Sequence, residues 1–194
     1  MRAHEVKAYD SVLQVLSGEG CPICAFLKNV QTKLVQEGDI AGFVSLCNAH
    51  AWAMAAVRQT ETAARVFLAL LEARSAPGSH ECSICLHLEQ EEVLRIQELI
   101  GALDRKSVLN WLRSHGALCL PHGLRLKEYA PITLRGLFDG LLDRRASELQ
   151  QALKGLAGGA TPGNSGQSGV LGRAAEYWVA QRGILLGRSA VRNA

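Results

Sequence analysis

Every cysteine of the chain belongs to one pattern, and the pattern occurs twice. Cys21-Pro22-Ile23-Cys24 is followed by Cys47-Asn48-Ala49-His50. Cys82-Ser83-Ile84-Cys85 is followed by Cys119-Leu120-Pro121-His122. Each half thus carries a C-x-x-C and then a C-x-x-H, which together supply three thiolates and one imidazole. That is a complete tetrahedral ligand set for Zn²⁺. Two intervening residues let one turn aim both ligands of a clip at a single ion. With no cysteine left over, the inventory points to metal ligation rather than to buried structural thiols.

The predicted ligands are Cys21, Cys24, Cys47, His50, Cys82, Cys85, Cys119 and His122, holding two Zn²⁺. Chain order suggests that each half closes its own site; pairing across the halves stays open as the alternative. The same donors could instead hold two iron–sulfur clusters, where thiolates are the usual ligands and histidine the less usual one. A c-type haem needs C-x-x-C-H, and Ala25 and Leu86 occupy the last position. His4, His80, His87 and His115 have no equivalents in the other half and read as ordinary core or surface histidines.

The rest of the chain reads as all-α. Of 194 residues, 48% are hydrophobic but only 5% aromatic, so Leu, Val, Ile and Ala must build the core, a composition that favours helices. A first helix is predicted from His4 to Ser17, stopped by Gly18 and Gly20. A second follows Cys21, with Ile23, Phe26, Leu27, Val30 and Leu34 at helical spacing and Pro22 in its first turn. A short helix or turn spans 39–46. A long helix from Asn48 to Arg74 is expected to bury Val57, Ala64, Phe67, Leu68 and Leu71.

The turn-rich Ser75-Ala76-Pro77-Gly78-Ser79 separates the halves. Helices then run from Cys82 to Ile100, from Asp104 to Ser114 and from Pro131 to Leu156, the last with a stripe of Leu134, Leu137, Phe138, Leu141, Leu142, Leu149 and Leu153. The expected organisation is a first repeat at 1–74, a second at 80–156, a flexible Gly/Ser-rich linker at 157–169 and a C-terminal amphipathic helix at 170–194. The two repeats pack together as metal-stapled helical hairpins. In the C-terminal helix Ala175, Trp178, Val179, Leu185 and Leu186 are available for burial, and Trp178 is expected to pack back on the core.

These motifs resemble an uncharacterised prokaryotic family of domain-of-unknown-function proteins built from tandem C-P-x-C … G-x-C-x-x-H-A-W units and a C-terminal Trp helix. The carriers are Cys21 to Cys24, Cys47 to Trp52, Cys82 to Cys85, Gly116 to His122 and the segment around Trp178. Ser83 stands where Pro is usual, and Val44 where the first unit usually has Gly. The resemblance implies a helical, zinc-binding protein and carries no activity.

No catalytic constellation accompanies the ligands. There is no H-E-x-x-H, G-x-S-x-G or phosphate loop, and four protein ligands per ion leave no open position for substrate water. Glu89, Glu91 and Glu92 read as a solvated helix face. A net charge of +3 with scattered basic residues and few aromatics argues against nucleic acid, and no small-molecule substrate is indicated. The basic tail (Arg173, Arg182, Arg188 and Arg192 against Glu176) reads as a solvated end. The longest apolar stretch, 49–73, is broken by Arg58, Glu61, Arg65 and Glu72, so no membrane span is expected, and a cytoplasmic protein is. In a reducing compartment paired cysteines are metal ligands more often than disulfides.

Those readings converge on an interaction module, a small accessory subunit or assembly factor whose partner is another protein or a larger complex. An electron carrier is the alternative, and a thiol redox sensor that releases zinc a further one.

Overall fold

Four helices begin at the four ligand clips, and these starts organise the chain. The computed structural model describes residues 20–37, 45–57, 60–72, 82–115, 118–157 and 164–179. Among them are eight α-helices and no strand: α1 (Pro22–Glu37), α2 (Asn48–Val57), α3 (Thr60–Glu72), α4 (Ser83–Gly101), α5 (Lys106–His115), α6 (Leu120–Tyr129), α7 (Ile132–Ala157) and α8 (Asn164–Val179). The all-α expectation holds. The helix expected at 4–17, residues 39–44 of the helix or turn expected at 39–46, and the break at 75–79 lie outside the described residues. None of the described helices is long and apolar enough to cross a membrane.

The described residues form two compact units, one within 20–26 and 94–179, the other within 27–93. The passages between them fall inside helices, at Phe26/Leu27 in α1 and at Val93/Leu94 in α4.

In the first unit α6 packs on α7, and α8 packs on both. The α6–α7 corner follows from Pro131: the residue before a proline is pushed to extended backbone, and Ala130 has φ −73° and ψ 146°. Ala130 N–H still donates to Leu126 O at 2.9 Å, closing α6. Across the corner Gly123 lets the two helices approach. A Cβ there would sit 2.5 Å from Leu142 Cδ2. Lys127 pairs with Asp139 at 2.7 Å on the rim. Phe138, Leu141, Leu142 and Leu149 are buried, as the α7 stripe predicted, with Leu134, Leu137 and Leu153 half-buried. Arg144 donates to Arg113 O at 2.6 Å, placing a cation at the C-terminal end of α5, where the helix dipole favours one.

In the second unit α2 packs on α3. Here the expected single helix from 48 to 74 is two helices, α2 and α3, with residues 58 and 59 outside the description. The expected stripe is also displaced. Ala63 and Val66 of α3 and Met54 of α2 are buried, whereas Ala64, Leu68 and Leu71 are exposed and Phe67 is half-buried. Glu61, Arg65 and Glu72 line one face of α3 with Leu68 among them, and Ala63 and Val66 lie opposite, so the phase of the charges marks the inward face; the side chain of Val57 lies outside the description.

Glu92 corrects another expectation. It is 1% exposed, not solvated. The buried stripe of α4 is Ile84, Leu88, Glu92, Ile96 and Leu99, nearly one residue in four, and Glu92 falls on it by phase. Glu89 and Glu91 are half-buried.

The last helix differs from expectation where it begins, while the side chain of Val179, with Leu185 and Leu186, lies outside the description. It begins at Asn164, inside the stretch expected to be a flexible linker. It does pack back, but through Val170, Ala174 and Tyr177, whose hydroxyl donates to Leu142 O at 3.4 Å. Trp178 is 68% exposed and Ala175 is exposed too.

Candidate metal centres

Each clip has the same local construction. Cys21, Cys47, Cys82 and Cys119 directly precede α1, α2, α4 and α6, and the second ligand sits in the first turn. The carbonyl of each leading cysteine accepts the first helical hydrogen bond: Ala25 to Cys21 at 3.0 Å, Ala51 to Cys47 at 2.9 Å, Leu86 to Cys82 at 3.0 Å and Gly123 to Cys119 at 2.9 Å. The first ligand is therefore the N-cap and the second is three residues on. That spacing folds both side chains toward the helix start, where unpaired N–H groups and the positive end of the dipole favour thiolates. Pro121 in the first turn of α6 and Pro22 at the first position of α1 cost nothing there. Gly20, with φ 85°, turns the chain into Cys21.

Tertiary packing brings the clips together in pairs. Cys21, Cys24, Cys119 and His122 form the first centre, within the first unit. Cys47, His50, Cys82 and Cys85 form the second, within the other unit. All eight sequence-derived residues are thus brought together, but not as chain order suggested. Each C-x-x-C meets the C-x-x-H of the other half. The physical reason is the path of α1 and α4, each of which begins in one unit and ends in the other. The N-terminus of α1 is thereby left beside that of α6, and the N-terminus of α4 beside that of α2.

In each group the four donor atoms lie within 4.8 Å of one another. In the first centre His122 Nδ1 is 3.5, 3.2 and 3.1 Å from the sulfurs of Cys21, Cys24 and Cys119, and Cys24 and Cys119 are 3.6 Å apart. In the second, His50 Nδ1 is 3.3, 3.4 and 3.4 Å from Cys47, Cys82 and Cys85, and Cys47 and Cys85 are 3.8 Å apart. A tetrahedral ion with sulfur at about 2.3 Å and nitrogen at about 2.0 Å has S···S edges of about 3.8 Å and S···N edges of about 3.5 Å. The three S···N separations in each centre, with Cys24···Cys119 and Cys47···Cys85, match those edges to within a few tenths of an ångström. The sulfur separations are far from a disulfide, which is about 2.05 Å, and all six cysteines are free thiols. Both groups could therefore hold a metal ion. In both, Nδ1 is the histidine atom turned to the sulfurs, so the neutral ligating tautomer carries its proton on Nε2.

Without a cation, each group settles on a thiolate sharing hydrogens with neighbouring thiols. In the second centre, hydrogen bonding from Cys85, opposed by burial and reinforced by His50, pulls Cys82 down to about 3. Cys85 is pushed up, first by its hydrogen bond to Cys82, then by burial. In the first centre burial opposes ionisation of Cys21, yet hydrogen bonds from Cys119 and Cys24 and the charge of His122 take it well below the usual thiol value. Cys119 is raised by Cys21, Cys24 and burial. Cys24, although its bond with Cys119 favours the thiolate, is raised by Cys21 and burial. Clustered thiols cannot all ionise side by side unless a multivalent cation neutralises them.

The two centres differ in their surroundings. In the first, all four ligands are buried, and a small cavity at Gly20, Cys21, Cys24 and Cys119 is walled by Arg145 of α7 and by Arg173, Glu176 and Tyr177 of α8. In the second, His50 and Cys82 are buried while Cys47 and Cys85 are half-exposed. The second also has a tie that the first cannot reproduce. Ser83 N–H donates to Ser45 O at 3.1 Å, and Ser45 N–H donates to Ser83 Oγ at 3.4 Å. Position 83 corresponds to Pro22, which has no N–H.

Of the other histidines, His87 is exposed and belongs to neither ligand set, while His4, His80 and the side chain of His115 lie outside the description. Comparison of the chain with protein-family models, curated proteins and solved structures finds no match.

Proposed function

We propose that the chain is a zinc-stapled helical interaction module, an accessory subunit or assembly factor that binds another protein. The observation that carries the zinc reading is the pair of closed four-donor groups with single-ion tetrahedral edges. Three thiolates and a neutral imidazole on Zn²⁺ carry a net charge of about −1, which the paired helix N-termini offset. Four protein ligands leave no position for a substrate or an activated water, so the metals act as cross-links. The free energy of structural zinc binding is folding free energy. That suits helices as short as α2, α5 and α6, ten residues each, which are marginal on their own.

A partner is supported by apolar surface. Trp52, Leu68 and Leu71 in one unit, and Leu94, Ile132 and Trp178 in the other, are 50–81% exposed. The order of the clips and the Trp178 helix are those of the domain-of-unknown-function family described above, and membership in it belongs to the proposal. A cytoplasmic setting, where thiols stay reduced, is part of the same reading.

Iron–sulfur clusters are the weaker alternative. A cluster places several irons and sulfides between its thiolates, whereas these donors crowd around one point. Elemental analysis and a visible spectrum of anaerobically purified protein decide the matter. About two zinc ions per chain in a colourless protein support the proposal. A brown, iron-containing protein bleached by dithionite rejects it in favour of the electron carrier.

A further inference from the structure

The two centres share ligands and local geometry but not shielding. Helix α8 packs on α6 and α7, and its Arg173, Glu176 and Tyr177 stand over the first centre. Cys21, Cys24 and Cys119 are 8%, 0% and 3% exposed. In the second centre the half-exposed ligands are Cys47 and Cys85, and these two are neighbours, with sulfurs 3.8 Å apart. One comes from the N-terminus of α2 and the other from the first turn of α4, so a bond between them would join two helix starts that the Ser45–Ser83 tie also holds together.

We infer that the second centre is a peroxide-sensitive zinc site, in which Cys47 and Cys85 are the oxidisable pair and their disulfide expels the ion, while the first centre keeps its own. The inference rests on the zinc reading above and adds a role to one of its two sites.

The chemistry balances with a peroxide as oxidant. Cys47 Sγ attacks a peroxide oxygen, the O–O bond breaks, and the departing hydroxide takes up a proton as water. The resulting sulfenic acid is attacked by Cys85 Sγ; the S–O bond breaks, and the second hydroxide leaves, also taking up a proton. Two thiolates become one disulfide, and one peroxide becomes two waters. The sulfurs must close from 3.8 Å to about 2.05 Å, a movement that half-exposed side chains can make. Zn²⁺ is left with Cys82 and His50 alone, too few ligands to hold a structural ion.

The test treats the full-length zinc protein with rising hydrogen peroxide. Released zinc is followed with a chromogenic chelator, and disulfides are located by non-reducing peptide mapping. The expected result is release of one zinc equivalent with a bridge between Cys47 and Cys85, while Cys21, Cys24 and Cys119 stay reduced. Dithiothreitol with added zinc then restores the second equivalent. Simultaneous loss of both ions, a first disulfide within the first centre, or retention of both ions while Cys47 and Cys85 oxidise would overturn the inference and leave the zinc reading standing. Untreated protein without zinc would overturn both. Wild-type mapping needs no variant to fold, and a Cys85→Ser chain that still binds one zinc should lose the peroxide-released equivalent.

Discussion

The sulfurs of Cys24 and Cys119 lie 3.6 Å apart although 95 positions separate them in the chain. Cys24 is 23 positions from Cys47, yet the two belong to different centres. Substitutions should therefore group by centre and not by half. Cys24→Ser and Cys119→Ser are each expected to lower the zinc content from about two ions to about one. The double variant Cys24→Ser/Cys119→Ser should lose little more, because residues acting through one site are strongly non-additive. Cys24→Ser/Cys47→Ser should lose both ions. Metal analysis and melting temperatures of the four variants check this, and a Cys24/Cys47 pair that behaves as one site would refute the cross-pairing.

The ligands were legible in the sequence because cysteine chemistry is: six thiols in spaced pairs, matched by two histidines, have few other uses. The helix starts after Cys21, Cys47 and Cys82 were legible too, whereas α6, after Cys119, was not among the expected helices. The pairing was not legible. The two C-x-x-H clips are chemically equivalent, and only the route of α1 and α4 through the fold decides which C-x-x-C each one meets. Helices α1, α4 and α7 were readable from long apolar periods bounded by Gly or Pro. Helix α3 was misread at its buried face because the large residues Phe67, Leu68 and Leu71 were counted as inward, although Glu61, Arg65 and Glu72 share the face of Leu68 and mark it as outward. Glu92 was misread because a run of acids looks solvated, although its spacing from Leu88 and Ile96 marked it as inward. Tyr177 was missed beside the larger Trp178, while the i, i+4, i+7 set of Val170, Ala174 and Tyr177 was the signal that could have found it.

Metal uptake should be linked to protons. In the metal-free first centre Cys21 is shifted toward the thiolate, and Cys24 and Cys119 toward the thiol. Closing a three-thiolate site there releases the protons still held on the thiols and on His122, so zinc affinity should rise with pH. Calorimetry in buffers of differing ionisation enthalpy, on a Cys47→Ser chain restricted to the first centre, measures the proton release. The second centre supplies the sign for the metal-free fold. Cys82 is depressed from 9.0 to about 3. Its contribution is complete above about pH 9 and is lost as the pH falls toward 3. The metal-free chain should melt lower across that fall, and less so with Cys82→Ala.

Helix α6 approaches α7 through Gly123. Gly123→Ala gains about 1 kcal/mol of helix propensity, but its Cβ would meet Leu142 Cδ2 at 2.5 Å, Cγ at 3.0 Å and Cδ1 at 3.1 Å. Leu142 is itself buried, so the overlap cannot be relieved into solvent, and overpacking of this kind costs about 1–3 kcal/mol. A net loss is expected. Gly140→Ala, in the same helix pair with nothing within 4 Å of the new methyl, should stabilise by about 0.5–1 kcal/mol. Chemical denaturation of the zinc-loaded variants compares them. Stabilisation by both substitutions would mean that the helices do not meet at Gly123.

Position 83 separates the two centres by a single backbone hydrogen. Pro22 begins α1 without an N–H and suits that place, so Ser83→Pro would look harmless from helix rules alone. Yet Ser83 N–H donates to Ser45 O, and Ser45 is 5% exposed. Removing the donor costs Ser45 O this hydrogen bond, worth about 0.5–1.5 kcal/mol, against the few tenths to one kcal/mol that proline rigidity returns. Ser83→Ala keeps the N–H and gives up only the longer Oγ contact at 3.4 Å, so it should cost less. Zinc retention against a competing chelator reads the difference at the second centre: Ser83→Pro should release that ion at lower chelator concentration than Ser83→Ala, with the first centre unmoved. Equal retention by the two variants would show that the tie contributes nothing to holding the α2 and α4 starts around the metal.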